Sequence, residues 1–385
     1  MRVAFIAGTL GQGGAEKQLV YMARALLQMD VTVRVLSLTR GEFYGQELRR
    51  SGVEVQWVGH WANPLVRLLT IGHVLRTFEP DILQSSHFYT NLYAALLSRV
   101  IGAAAVGAIR NDTLHELECN RCWGKWLLRL PPILACNSYT AYRNAVSHGV
   151  SEDRLSVLPN VIDLDDFDGR VSSIPQTLSD SGKLLAITVS RLVRVKRLDR
   201  FIRALAIARK EVPVLQGVII GDGPERDELE SLGRKAGLTE KGLSFAGTSH
   251  DVPTWMSQAH MLVHPSDHEG FPNVLLEAMA ARLPVVTTPA GDAARIVQDQ
   301  VTGFVVPFDD VRTMAERMVA LARSPALRSR MGGSGRAEVE KRYSCERLPA
   351  MLLGLYRQAA ERTQSKRLLA ALSQCCFQGE QLSAD

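Results

Sequence analysis

The sequence predicts an α/β protein built of two similar doubly wound domains facing each other across a central cleft. Three observations carry this. Short apolar runs alternate with helix-length stretches through the first half, the pattern of a parallel sheet wrapped by helices. The alternation breaks at a polar stretch, Asp165–Gly182, and then restarts. At 385 residues the chain also exceeds one ordinary core. The domains are therefore expected at residues 1–165 and 180–345.

In chain order, RVAFIAG is a strand, Ala15–Met29 a helix and VTVRVLSLT a strand. VEVQWVG, DILQSS, AVGAIRN, PILACN and RLSVLPN continue the first sheet. LLAITVS, QGVIIGDG, LSFAGT, MLVHPS, LPVVTT and FVVPF make the second, with helices at Leu198–Glu211, Arg226–Ala236 and Pro272–Ala281. Cys345–Arg362 is helical, with Leu348, Leu352, Leu355 and Tyr356 on one face and Pro349 kinking its start. The tail, residues 363–385, is expected to be poorly ordered.

Composition limits the classes open to the chain. Hydrophobic residues at 46% with 22% charged are those of a soluble globular protein. A net charge of +5 suits anionic ligands or an anionic membrane surface, and no nucleic-acid partner is expected. No apolar run reaches the length of a spanning helix; Ala94–Ile109, the longest, carries Arg99. The start, MRVAFIAGTLGQGG, imitates a signal peptide, but its apolar run is short and a glycine-rich loop follows, so it reads as a first strand and a cytoplasmic location follows. The six cysteines, Cys119, Cys122, Cys136, Cys345, Cys375 and Cys376, offer one CxxC pair without a second, so free thiols are expected rather than zinc.

The most informative stretch is EGFPNVLLE, Glu269 to Glu277. Pro272 suits a first helical turn, and Leu275, Leu276 and Met279 form an apolar helical face. Eight residues at roughly 100° each would leave the two carboxylates about 80° apart around one helix. The helix start offers unpaired N–H groups to an anion. Two acids beside an anion site suggest a ligand with phosphate and hydroxyls, a sugar nucleotide. Arg191 ends an apolar strand and Lys196 follows it, at the strand edge where open α/β sheets bind ligands; two cations there can neutralise a diphosphate. Arg194 and Arg197 are expected to be solvated. Gly221 and Gly223 in GDGPE allow close backbone approach. In the loop GTLGQGGAEKQ, Gly11, Gly13 and Gly14 precede a helix, but Glu16 takes the third glycine position of a dinucleotide fingerprint and Arg40 ends the second strand where an acid is needed. A nicotinamide enzyme is disfavoured.

These residues resemble the family 4 retaining nucleotide-sugar glycosyltransferases of GT-B fold, with two Rossmann-like domains. The matching pieces are GGAE (Gly13–Glu16), LPNVID (Leu158–Asp163), SRLVRVKRLD (Ser190–Asp199), GDGPE, FAGT, HPSDHEGFPNVLLEAMA and GFVVP (Gly303–Pro307). The resemblance implies that Arg191 and Lys196 hold the donor diphosphate, that Glu269 faces the donor sugar and that Glu277 binds the ribose. The amides of Gly270, Phe271, Asn273, Val274 and Leu275 would cradle phosphate, with Gly13 and Gly14 approaching from the other domain. No cofactor or metal is implied. The implied donor is a nucleotide-diphosphate sugar, UDP favoured and GDP possible, and the acceptor a saccharide or a lipid-linked molecule. The final helix, residues 346–362, would complete the first domain.

The chain departs from the family in places. The histidine-bearing stretch reads ILQSSHFYTN, which shifts His87; IRND replaces the next histidine or acid with Arg110, Asn111 and Asp112; AGDAAR puts Arg295 where a glutamate is common. His87, Arg110 and Asn111 are candidates for sugar or acceptor contact. Trp123, Lys125 and Trp126, with Arg121 and Arg129, and a second stretch with Trp61, Arg67 and Arg76, suit a headgroup interface. Two alternatives stay open: a GT-B nucleotide-sugar epimerase, and a non-catalytic sugar-nucleotide-binding protein.

Overall fold

Strand β1 (Arg2–Ala7) is buried from Val3 to Ala7 because helices cover both faces of its sheet. The structure, a computed structural model, describes residues 1–172, 184–249 and 251–381, without the side chains of residues 115, 121, 122 and 375–381. It divides into two units, Met1–Val161 with Cys345–Asp385, and Ile162–Ser344.

The first unit holds β1, β2 (Thr32–Ser37), β3 (Glu54–Trp57), β4 (Ile82–Ser85), β5 (Ala104–Ile109), β6 (Ile133–Cys136) and β7 (Leu155–Val157) in the order β3-β2-β1-β4-β5-β6-β7. Every pairing is parallel; Val3 lies between Val33 and Ile82. The second unit holds β8 (Leu184–Val189), β9 (Leu215–Ile220), β10 (Leu243–Gly247), β11 (Met261–His264), β12 (Val285–Thr287) and β13 (Gly303–Val305) in the order β10-β9-β8-β11-β12-β13, again all parallel. Both sheets grow outward first one way and then the other from a starting strand. Winding reverses between β1 and β4 in one unit and between β8 and β11 in the other, and such reversals open a crevice at the carboxyl ends of the strands.

The helix Leu348–Arg362 belongs to the first unit. Leu348, Leu352, Leu355 and Tyr356 are buried in its core, and the Tyr356 hydroxyl donates to Gln84 Oε1 at 2.7 Å. Burying such side chains contributes roughly 1.5–3 kcal/mol each. Pro349 lies in the first turn, where no N–H is needed, so it starts the helix rather than kinking it.

Other expectations are corrected. The tail contains a helix, Lys366–Gln381; Leu368 and Leu372, one turn apart, are buried against the first-unit core, and Arg367 pairs with Asp81 at 3.0 Å. The stretch read as a linker begins as a helix, Leu164–Ser172, with Phe167 buried; residues 173–183 lie outside the described residues. Pro272 caps the helix Asn273–Ala280 from outside.

Candidate active site

Lys196 and Glu269 meet where the second sheet reverses. The segment leaving β8 carries Arg191 and Lys196, and the segment leaving β11 carries Glu269. Lys196 Nζ lies 2.5 Å from Glu269 Oε1, and Nε2 of His264, the last residue of β11, lies 3.1 Å from the same oxygen. The His264 nitrogen is within charge-contact distance but has no partner in hydrogen-bonding geometry among the described residues. Burial pushes the Glu269 carboxyl up, but the His264 ring and the Lys196 ammonium outweigh it and hold the group at about 2. The site thus keeps an ionised, almost dry carboxylate against an ammonium, with Arg191 exposed five residues before.

The two loops are stitched together beside this pair. The Asp267 N–H donates to the Val195 carbonyl at 2.9 Å. Arg200, only 1% exposed, donates through Nη1 to the Pro265 carbonyl at 2.9 Å and pairs with Asp267 and Asp309, each at 2.6 Å. Arg197 adopts a positive φ of 48° and pairs with Asp199 at 3.0 Å and Asp267 at 3.1 Å. Arg194 is exposed, as expected, but Arg197 is not a solvated side chain: acids on three segments, Asp199, Asp267 and Asp309, engage its guanidinium. Gly291, at φ +56°, seats the other side of the loop; a Cβ there would stand 2.3 Å from the Glu269 carbonyl oxygen.

The remaining predicted donor-site residues of this loop follow Glu269 into the next helix. Gly270 is buried and its carbonyl accepts the Asp292 N–H at 3.1 Å. Phe271 packs edge-on to Tyr343 in the core. Asn273 and Val274 open the helix, while the Leu275 N–H is engaged by the Pro272 carbonyl at 3.1 Å, which removes it from the expected phosphate cradle. Glu277 lies half-buried in the second turn. Glu269 precedes the helix altogether, so the 80° same-face relation expected for the two acids does not apply.

Gly221 and Gly223 serve a different purpose from the one expected. Their amides are engaged, Gly221 by the Gly247 carbonyl at 2.8 Å and Gly223 by Asp222 Oδ1 at 2.7 Å. A Cβ at Gly221 would stand 1.9 Å from the Ser190 carbonyl oxygen, and one at Gly223 would stand 2.5 Å from that of Leu192. The glycines make room for the Ser190–Leu192 backbone, and so set the position of Arg191.

The first unit has its own cluster at the β1–β4 reversal. Gly13 caps the helix Gly14–Gln28, and buried Glu16 sits in its first turn, where the positive helix end favours a carboxylate. The Gly8 N–H donates to His87 Nδ1 at 3.1 Å, so the ring proton sits on Nε2, 3.1 Å from Glu16 Oε1. His87 therefore joins the glycine loop directly, with a partner for each nitrogen. Arg110 follows β5; burial lowers its guanidinium pKa to about 10, and its Nε has no hydrogen-bond partner among the described residues. Asn111 is half-buried beside it. Arg295 is exposed in the short helix Ala293–Ile296.

Sequence reasoning missed His264 and the Arg200–Asp267–Asp309 network. A histidine closing an otherwise apolar strand was a readable signal for the first.

Comparison with known proteins places this geometry. The family described as Glycosyltransferase Family 4 matches residues 12–166, and that described as Glycosyl transferases group 1 matches residues 171–338. An alpha-D-kanosaminyltransferase from Streptomyces kanamyceticus is 29% identical over 50% of this chain and 50% of its own length. The lipopolysaccharide core biosynthesis glycosyltransferase LpsD of Rhizobium meliloti is 24% identical over 90% of this chain and 95% of its own. The chain spans half or less of the first curated relatives it matches. The solved Anabaena HepE protein in complex with UDP superposes with a TM-score of 0.79 at 21% identity, covering 92% of this chain and 99% of that one, a likeness of fold. Two parallel-sheet α/β units, matched in turn by two glycosyltransferase families, make this the GT-B fold. The chain belongs to the group 1, family 4 glycosyltransferases.

Proposed function

We propose that the chain is a retaining glycosyltransferase. It moves a hexose or N-acetylhexosamine from a nucleotide-diphosphate sugar, UDP favoured, to a saccharide or lipid-linked acceptor in cell-surface polysaccharide or glycolipid synthesis. One observation carries this: the half-buried Lys196–Glu269 pair at the reversal of the second sheet. Lys196 and Arg191 receive the charge that develops on the leaving diphosphate, which lowers the barrier most where water is excluded. That role needs no metal. Glu269, held ionised, faces the donor sugar and stabilises positive charge at the anomeric carbon. Glu277 takes the ribose hydroxyls from the helix that follows. UDP is favoured by the UDP bound to HepE.

The test is a thermal-shift series with UDP, GDP and ADP. UDP at about 100 times its Kd is expected to stabilise by roughly 2.7 kcal/mol. The shift should largely vanish in Glu277→Ala. UDP release from a UDP-sugar should require an acceptor. A full shift in Glu277→Ala with every nucleotide would remove the ribose assignment.

The proposed site of action is the inner face of the cytoplasmic membrane. Among the described residues no helix is long and apolar enough to cross a bilayer. The helix Leu114–Arg129 exposes Trp123 and Trp126, at 68% and 65%, on either side of exposed Lys125. Apolar side chains left this open beside a cation suit an anionic headgroup layer. Phosphatidylglycerol vesicles are expected to sediment the protein, and Trp123→Ser with Lys125→Glu to release most of it. Equal sedimentation of parent and variant, or none of the parent, ends the idea.

A further inference from the structure

We infer that the first unit carries a second ligand site, a pocket for an organic phosphate, at the amino-terminal edge of its sheet. All strands of that sheet run parallel, so this edge is the one opposite the glycine loop and His87. A cavity of about 570 Å³ opens there, within the range of small-molecule sites. It is bounded by the segments entering β5, β6 and β7 and by the end of the helix Leu348–Arg362.

Four arginines line it: Arg99, Arg129, Arg154 and Arg362. Among the described residues no acid lines it, and Asp153, the residue before Arg154, pairs with Arg362. Arg99 and Arg129 are exposed and have no acidic partner among the described residues. Arg154 is pinned: its Nη2 donates to the Arg129 carbonyl at 2.6 Å and to that of Pro131. Burial and then the charge of Arg362 lower its pKa, with Arg129 adding to the effect and Asp153 opposing it. A guanidinium held by carbonyls rather than by acids, with like charges around it, is unfavourable alone and favourable around an anion.

The wall fixes the chemistry further. Ser365 caps the helix Lys366–Gln381 by accepting the Leu368 N–H at 3.3 Å, which leaves its own O–H to donate into the cavity it lines. Ala103, Leu130, Pro131 and Pro132 give an apolar side. A forked set of guanidinium donors matches phosphate oxygens bidentately, and the apolar side matches the carbon part of the same molecule. A phosphate ester, from a soluble metabolite or a lipid headgroup, fits both.

Calorimetry on the full chain with glucose 6-phosphate, glucose, inorganic phosphate and phosphatidylglycerol vesicles tests this. A phosphate ester is expected to bind and glucose not. Arg99→Gln and Arg129→Gln, whose side chains hold no structural bond, should each weaken binding by about ten- to a hundredfold. Both variants should keep the parent melting temperature and the parent thermal shift with UDP. Binding of vesicles but not of glucose 6-phosphate, lost in Arg99→Gln and kept in the Trp123→Ser, Lys125→Glu variant, identifies the source as a lipid headgroup. No binding in any arm, equal binding by the variants, or inorganic phosphate binding as tightly as the esters overturns the proposal.

Discussion

Replacing Lys196 with methionine is expected to destabilise the second unit by about 3–5 kcal/mol and to lower turnover at least about a hundredfold. The reason is what the substitution leaves behind. Glu269 has 12% of its side chain exposed and is ionised, so without the ammonium at 2.5 Å its charge is buried against His264 alone. Glu269→Gln should be milder for stability, because Lys196, with 18% exposed, retains more contact with water. The double variant Lys196→Met with Glu269→Gln should recover much of the loss, since removing both charges is far less costly than removing one.

The pair also predicts an acid limb. The folded Glu269 carboxyl is held at about 2, below its ordinary 4.5. A depressed carboxylate contributes stability above the unfolded pKa and loses it as pH falls toward the folded value. The contribution is therefore whole above about pH 4.5 and gone near pH 2, and it amounts to roughly 3 kcal/mol. Glu269→Gln should flatten that part of the curve. Urea midpoints for parent and variant between pH 6 and pH 3 measure it (both about those values); parallel curves would show that the carboxyl is not held down by its neighbours.

Arg200→Met is the second large effect, expected to be about 3–5 kcal/mol destabilising. Arg200 is 1% exposed, and its loss leaves the Pro265 carbonyl and Asp267 without their shared donor. Those two residues anchor the loop that carries Glu269, so kcat should fall although Arg200 touches neither Lys196 nor Glu269 in any bond described above. Asp309→Asn should do little by comparison, because Asp309 is 71% exposed and water can replace it. Hydrogen exchange of β11 and β12 in the two variants separates the cases. Equal protection in both would mean that the network does not hold the loop.

Much of the candidate site was readable at the level of segments. Arg191, Lys196 and Glu269 stand at strand ends whichever way the strands are ordered, and an apolar run followed by charges marks such an end. The relation between Glu269 and Glu277 was not readable, because Pro272 stops the helix short of Glu269 and the wheel angle has no meaning outside a helix. The glycines of GDGPE were visible as close-approach positions, but what approaches them is the chain itself, at Ser190–Leu192. The tail misled because two leucines one turn apart are a weak signal until a core receives them.

The sequence by itself determined the class of the protein: two parallel sheets, the strand ends that carry charge, and the family pattern. The first two are properties of periodicity and spacing, which act over a few residues; the last is a resemblance carried by short motifs. Only the tertiary structure decided which charges meet. Lys196 and Glu269 are 73 residues apart, and Arg200 and Asp309 are 109 apart. The first pairing depends on β8 and β11 lying side by side, the second on the segment after β13 reaching back to the helix after β8. The same winding in the first unit joins His87 to Gly8 and Glu16. Strand order is a global choice made by burying both faces of each sheet, and no local pattern encodes it.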